Sequence, residues 1–552
     1  MTTPADNPQP PLDEPPLQPP LEALAPRVSP LEWLWLVLCM AVGAFFRVWH
    51  LSVRPLWADE LTTLITARRT LGDSLKTAQD PQPPLHQMLV RLLMGGNDSP
   101  GESIVRAPAC AFGIATIAAV WWCARHFVGR LGAGLAAVMV ACNPWLVHHA
   151  RDARPYALFV FFAALSFTFF YRMVKTRGIG NVVGYAVSTA GMFFSHYYAM
   201  FFVAGQVAYA MLDFLFAGPM RRNWKTVILG GALGALGAAP ILYMFVRLLT
   251  GGMKGSWWIG EPHGIIEGVD TLGDLLGLRS LGVLCLIPLI GAFWLPGVPP
   301  MLRRWSRLES NSPAHSLRSA PTHPNFWRHW WLTREPVIYL ALLVLCGLFL
   351  PLIGSILVKP GWIMRYSLPA VVPMLILALA YLRSTGPVIA VMVLGLLLPY
   401  TAYKSSNKSK GEAGLRDAVQ VVQKYMEPGD AIVLPDWPFA EDYINPDAVG
   451  VRYYGFVEEQ MQKVKYVLVD ELDAVIYRKS RKFTQAQVDA ILFRADDLLP
   501  RPRTWAICFH STSKVMREFL TKRGRTFEAY EFGLYDDGRT PMYTLLRIDP
   551  RR

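Results

Sequence analysis

The chain has 552 residues, 53% of them hydrophobic and only 17% charged, which excludes an ordinary soluble multidomain protein as the starting expectation. Its formal charge of +13 is spread over separate short loops rather than gathered in one patch, so no nucleic-acid partner is expected. Cys39, Cys110, Cys123, Cys142, Cys285 and Cys346 lie in apolar runs and Cys508 stands alone near the end, which excludes a disulfide within the tail and any Cys/His metal spacing.

In chain order, residues 1–30 are rich in proline and lack apolar periodicity. They predict a disordered cytoplasmic tail rather than a cleaved leader, and the first apolar run is expected to stay as an anchor. Runs at 31–51, 104–123, 131–147 and 156–173 carry almost no charge and match a bilayer core of about 30 Å at about 1.5 Å per helical residue. A shorter run follows at 182–194, then others near 201–216, 227–245, 281–295, 337–358, 366–382 and 388–400. Together they predict about eleven crossings within 31–402.

Between the first two runs, the segment 52–103 is too long for a simple connection. Within it, 60–70 and 85–94 have helical spacing and read as helices in the membrane interface, since about ten residues cannot cross a bilayer. The last part changes texture: strand-like segments at 430–434, 464–469 and 505–509 alternate with helix-like ones at 414–426 and 513–523. Residues 403–552 are therefore expected to form a small α/β domain. It has no Gly-rich phosphate loop, nucleophile elbow or paired carboxylates, and reads as a lid or acceptor-docking module.

Basic clusters sit at Arg125 and Arg130, at Arg172, Lys175 and Arg177, at Arg221, Arg222 and Lys225, and between Arg303 and Arg334. These are alternate loops, so the positive-inside rule makes them cytoplasmic, with the amino terminus inside an inner (plasma) membrane and the tail domain outside it. Five unusual clusters then fall together on the outer side. They are Arg54 to Glu60 (with Trp57 and Asp59), Gln82 to His86, Arg151 to Tyr156 (with Asp152 and Arg154), Ser195 to Tyr198 (with His196 and Tyr197), and Lys359 to Tyr366 (with Arg365).

Their chemistry is complementary. A carboxylate pair at a partly dehydrated interface supplies a general base, while Arg, Lys, His and Tyr hold a phosphate and stabilise the charge that develops as it leaves. That combination suits glycosyl transfer from a phosphate-linked lipid, whose isoprenoid chain would enter sideways between apolar spans. Each residue also has a plainer reading. Asp59 would serve as the N-cap of a helix beginning near Glu60. Arg151 and Arg154 would snorkel to headgroups, Trp57, Tyr156 and Trp362 would belong to an aromatic belt, and His196 would be a hydrogen-bonded interfacial residue. Coincidence of five clusters on one side favours the functional reading.

At these residues the chain resembles the GT-C superfamily of membrane glycosyltransferases, particularly glycosyltransferase family 39 and its relatives, the protein O-mannosyltransferases and the lipid A aminoarabinose transferase. The resemblance rests on RPLWADE, QPPLHQ, VRAPA, ARDARPYAL, SHYY and KPGWIMRYSLPA, and covers about 50–370. It implies a polytopic α-helical GT-C fold with an extracytoplasmic α/β domain, and inverting transfer from a polyprenyl-phosphate sugar to a glycan, lipid or protein acceptor. Asp59 matches the family's catalytic base, and Glu60 would orient the acceptor or hold a cation. Arg154 with Tyr156 would contact the donor phosphate, followed by Lys359 and Arg365, then His196 and Tyr197; Arg54, Trp57, His86, Asp152 and Tyr366 are weaker substrate-binding candidates. Some relatives carry a basic residue or His directly before the Pro pair where this chain has Gln82, and His86 could compensate. A divalent cation at Asp59 and Glu60 is allowed but not required, because a monophosphate donor already has basic partners.

Two other functional classes fit the sequence less well. A transporter or flippase of lipid-linked sugars needs ionisable groups or broken helices at mid-membrane, whereas Glu32 and Asp213 lie near the cytoplasmic ends of their runs. A noncatalytic envelope-assembly scaffold would use Arg154 for complex formation rather than sugar transfer.

Overall fold

The computed structural model describes residues 28–49, 51–68, 82–97, 100–216, 218–250, 264–276, 286–293, 326–357, 361–385, 415–427, 430–433, 503–509, 524–534 and 541–549, with a few single positions between them. The predicted tail up to residue 27, the strand expected at 464–469 and Lys359 lie outside the described residues, as do most of the run at 388–400 and most of the helix expected at 513–523.

Helix α1 (Pro30–Val48) starts at a reciprocal cap: Ser29 Oγ accepts from Glu32 N at 3.3 Å, and Ser29 N donates to Glu32 Oε2 at 2.9 Å. Two short helices follow, α2 (Ala58–Ala67) and α3 (Leu85–Met94), and then α4 (Glu102–Cys142). The 41 residues of α4 would reach about 60 Å if straight, twice a bilayer core. They reverse instead at Gly129, whose φ of 71° and ψ of −170° belong to a region essentially reserved for glycine. Before Gly129 the chain runs antiparallel to α1, since Arg125 pairs with Glu32 at 2.9 Å and Ile117 packs on Gly43. After it the chain runs parallel to α1, because Trp35 donates to Gly134 O at 3.1 Å and Gly43 faces Ala141. The runs expected at 104–123 and 131–147 are therefore two arms of a hairpin.

The second arm ends early. Asn143 Oδ1 accepts from the backbone N–H of Trp145 and Leu146, both at 3.0 Å, and starts a separate helix α5 (Pro144–Ala150). Arg47, fully buried, donates to Val140 O and Ala141 O at 3.0 Å each. These are carbonyls of the arm's last turn, where a cation is favoured by the helix dipole.

The rest of the helical part is α6 (Tyr156–Lys175), α7 (Ile179–Ser195), α8 (Ala199–Leu215), α9 (Met220–Thr250), α10 (Ile265–Leu275), α11 (Leu286–Phe293) and α12 (Phe326–Val344). A π-helical turn (Leu345–Phe349) leads into α13 (Leu350–Leu357), and a 3-10 turn (Met364–Ala370) leads into α14 (Val371–Thr385). Among the described residues, six helical stretches are long and apolar enough to cross a membrane, one of them the α4 hairpin. The protein is a multi-pass, mostly helical membrane protein.

One end of this bundle collects basic groups of the described loops, and several of them are paired. Arg172 bonds His126 and Asn181 at 3.0 and 2.9 Å, Lys175 pairs with buried Glu335, and Arg177 donates to Asn223 at 3.1 Å. Asp213 is buried at the same end, accepting from the Trp331 indole at 2.7 Å. The unusual sequence clusters lie at the opposite end.

The tail contributes α15 (Leu415–Tyr425) and a four-stranded sheet of β1 (Ala431–Val433), β2 (Thr504–Phe509), β3 (Phe527–Leu534) and β4 (Pro541–Ile548) in the order β1-β2-β4-β3. The β1–β2 pair is parallel and the others are antiparallel. Leu415, Ala418, Val419 and Val422 form the apolar stripe of α15, spaced at one helical face. They share one hydrophobic cluster with Trp505 and Tyr543 of the sheet and with Leu56, Leu61 and Leu64 from the segment between α1 and α3.

Candidate active site

Asp59 and Glu60 are neighbours in the first turn of α2, and they face different surroundings. Glu60 is fully buried, with Arg106 Nε on Oε1 at 2.7 Å and Arg106 Nη2 on Oε2 at 2.6 Å, a bidentate charge-assisted pair. Ala153 N donates to Oε1 at 2.8 Å and Trp57 N to Oε2 at 3.3 Å. Both oxygens are thus occupied by protein groups, which corrects the expectation that Glu60 orients the acceptor or holds a cation. Its carboxylate ties the segment before α2, the start of α4 and the loop before α6 together. Arg106 sits inside the VRAPA string, one turn into an apolar run, yet it was not among the expected site residues. An arginine at that depth is itself the signal.

Asp59 keeps its carboxylate at the opening, with 28% of the side chain exposed. Its Oδ2 lies 3.4 Å from Arg365 Nη2 and 4.0 Å from Arg154 Nε. Arg154 Nη1 also donates to Asp59 O at 3.1 Å and to Thr63 Oγ1 at 3.2 Å. The plainer reading of Asp59 as an N-cap does not hold: the helix begins at Ala58, and it is the Glu60 side chain that accepts from the Trp57 cap N–H. Trp57 Nε1 and Arg54 Nη2 both reach Asp152 Oδ1, at 2.7 and 3.2 Å, so Asp152 steadies the two residues that lead into the acidic pair.

Around Arg365 stand the rings of Trp57, Tyr156 and Tyr366, with centroids 5.9, 5.7 and 5.9 Å from the guanidinium carbon. His196 packs on Tyr366 at 4.7 Å and stacks on Phe159 at 5.1 Å. Its Nδ1 accepts from Tyr198 N at 3.2 Å, which leaves the proton on Nε2. Burial, then the nearby Arg154 and Arg365, lower the His196 pKa to about 3, so the ring is a neutral hydrogen-bond donor. His86 on α3 is also fully buried and lowered to about 3, by burial first and Arg154 second, with Glu60 opposing. The Tyr156 hydroxyl, His196 Nε2 and both nitrogens of His86 have no hydrogen-bond partner among the described residues.

Asp59, Arg154, Tyr156, His196, Arg365 and Tyr366 therefore converge, supported by Arg54, Trp57, Asp152 and, beside Arg154, His86. Tyr197 differs: its ring packs on Phe245 of α9 at 5.1 Å. The tyrosine that meets the cluster is its neighbour Tyr198, against Tyr366 at 5.2 Å and donating to Gly361 O at 2.6 Å. Lys359 is outside the described residues.

Two further features bear on ligands. Metal-ligating atoms of His148, His149 and Asp152 lie within 4.8 Å of one another. Arg54 paired with Asp152 Oδ1 weighs against a dication there. Between α6, α7, α8 and α9 an apolar cavity of about 600 Å³ runs from Phe193 and Val203, near the His196 turn, to Leu215 and Met220 at the opposite end.

Residues 81–245 match the family described as dolichyl-phosphate-mannose-protein mannosyltransferase. No curated protein matches the chain. Among solved structures, ArnT from Cupriavidus metallidurans in the apo state is 13% identical with a TM-score of 0.52, the match covering 94% of this chain and 98% of that one. The oligosaccharyltransferase of Archaeoglobus fulgidus, in complex with Zn and sulfate, is 12% identical with a TM-score of 0.51, over 94% and 75% of the two chains.

Proposed function

We propose, from the premise that this chain has the GT-C membrane-glycosyltransferase fold, that it moves a sugar from a polyprenyl-phosphate donor to an acceptor hydroxyl at the non-cytoplasmic face. The observation that carries the reading is the half-open Asp59 carboxylate set between Arg154 and Arg365. The matched family's description names a lipid-phosphate sugar, which supports the donor class. The apolar cavity between α6, α7, α8 and α9 suits an isoprenoid chain.

In this reading Asp59 takes the proton of the acceptor hydroxyl as that oxygen attacks the anomeric carbon. The bond from that carbon to the phosphate oxygen breaks, and its electron pair leaves with polyprenyl phosphate. The phosphate gains negative charge as it departs. In this reading Arg154, Arg365, the Nε2–H of His196 and the Tyr156 hydroxyl donate to the oxygens on which that charge grows, a role supported by the hydroxyl and imidazole donors both lacking a partner among the described residues. Placing the basic end in the cytoplasm by the positive-inside rule puts this rim outside.

The test uses purified protein in detergent with a polyprenyl-phosphate sugar and acceptor extracts from the envelope. Release of polyprenyl phosphate is expected, and Asp59→Asn should lower it at least about 10²-fold while leaving the protein folded. Wild-type turnover in that variant would remove Asp59 from the role. No release by the wild-type protein would favour a transporter of lipid-linked sugars.

A further inference from the structure

Besides the shared hydrophobic cluster, a charged side chain of the tail module reaches the loop that carries Asp59. Arg416, in the first turn of α15, donates from Nη2 to Val53 O at 2.6 Å and from Nη1 to Ser52 O at 3.3 Å, and pairs with Glu102 Oε1 at 3.1 Å. Arg106 approaches the same stretch from within the membrane part, donating from Nη1 to Leu51 O and Arg54 O at 2.7 Å each. Four consecutive carbonyls, of Leu51, Ser52, Val53 and Arg54, are therefore held by two guanidinium groups. One belongs to the helical part and the other to the tail.

Carbonyls of an outer loop ordinarily turn to water, which leaves the loop free to move. Here the segment runs only a few residues further to Trp57 and Asp59. Leu56, Leu61 and Leu64 share a hydrophobic cluster with Leu415, Ala418, Val419 and Val422. A displacement of α15 would carry the loop, and with it the Asp59 carboxylate, relative to Arg154 and Arg365. Misplacement of a base by about 1 Å can cost on the order of 10²-fold in rate.

We infer that Arg416 is a positioning residue, through which the tail module sets the place of Asp59 without touching substrate. The inference rests on the reading of Asp59 as general base, and it makes the tail a working part of the transferase rather than only a docking platform.

The test compares full-length wild type, Arg416→Ala and Arg416→Lys by steady-state transfer and by hydrogen exchange over 51–66. Arg416→Ala is expected to lower kcat about tenfold with the donor KM unchanged, and to speed exchange in that segment while the thermal transition holds. Arg416→Lys, which keeps a cationic donor, should recover part of kcat. Arg517→Ala, which loses only an exposed 2.8 Å pair with Glu531 in the same module, should change neither reading. Unchanged exchange over 51–66 overturns the clamp, and an unchanged kcat overturns the positioning role. Should Arg416→Ala not fold, Glu102→Ala removes one partner of Arg416, and its kcat should fall about twofold, with no fall counting against the inference. If wild-type protein transfers no sugar, the function reading fails on its own, and the exchange data still decide whether the clamp exists.

Discussion

Removing one charge from the Glu60–Arg106 pair leaves the other where water does not reach, since neither side chain is more than 1% exposed. Breaking a buried pair in this way costs about 3–5 kcal/mol, so Glu60→Gln should lower the thermal transition of the purified protein clearly. Asp59→Asn, at a partly open site, should leave it close to wild type; equal thermal transitions for the two variants would contradict the division of labour between these neighbours. Sequence strings brought Asp59, Arg154, Tyr156, His196 and Arg365 onto one rim because polar and aromatic groups beside apolar runs are conspicuous. They could not tell Tyr197 from Tyr198, since the two differ only in which way a short turn aims them. Glu60 was misjudged because its partner lies 46 residues away, and nothing local announces so distant an ion pair.

At the scale of elements, hydropathy locates apolar runs but not where helices break. The boundary between 104–123 and 131–147 was legible from its arginines, whereas the manner of turning depends on one glycine. Gly129→Ala should be destabilising by about 1–3 kcal/mol through backbone strain alone, measured as a lower midpoint of thermal unfolding. An unchanged midpoint would mean the arms reverse with a different backbone. The break at Asn143–Pro144 was hidden inside an apolar run, although an Asn before a Pro is a known helix-start signal. In the tail, β2 was readable as a run of buried residues from Trp505 to Cys508. Strand β3 was not, because it lies at the sheet edge with Glu528, Ala529, Tyr530 and Glu531 all exposed, and so lacks a buried-face pattern.

For the whole molecule, the two ends differ in kind. One gathers paired lysines and arginines with Glu32, Glu335 and Asp213, and the other gathers the acidic pair, the aromatic cage and the tail module. If the first end is cytoplasmic, a membrane-impermeant thiol reagent added to intact cells should label Arg91→Cys, which is exposed on α3, and should spare Arg130→Cys, which is exposed at the α4 reversal. The described native cysteines are buried or half-buried and give a low background. The opposite labelling pattern would invert the topology and with it the proposed side of the reaction.

In the proposed reaction, Asp59 ends each cycle protonated and must be discharged before the next acceptor arrives. Its sequence neighbour is not placed to share that load, because both oxygens of Glu60 accept from Arg106 and the side chain faces inward. The two carboxylates are therefore not a relay, and the partly open side of Asp59 becomes the natural exit, toward the aqueous compartment rather than into the protein.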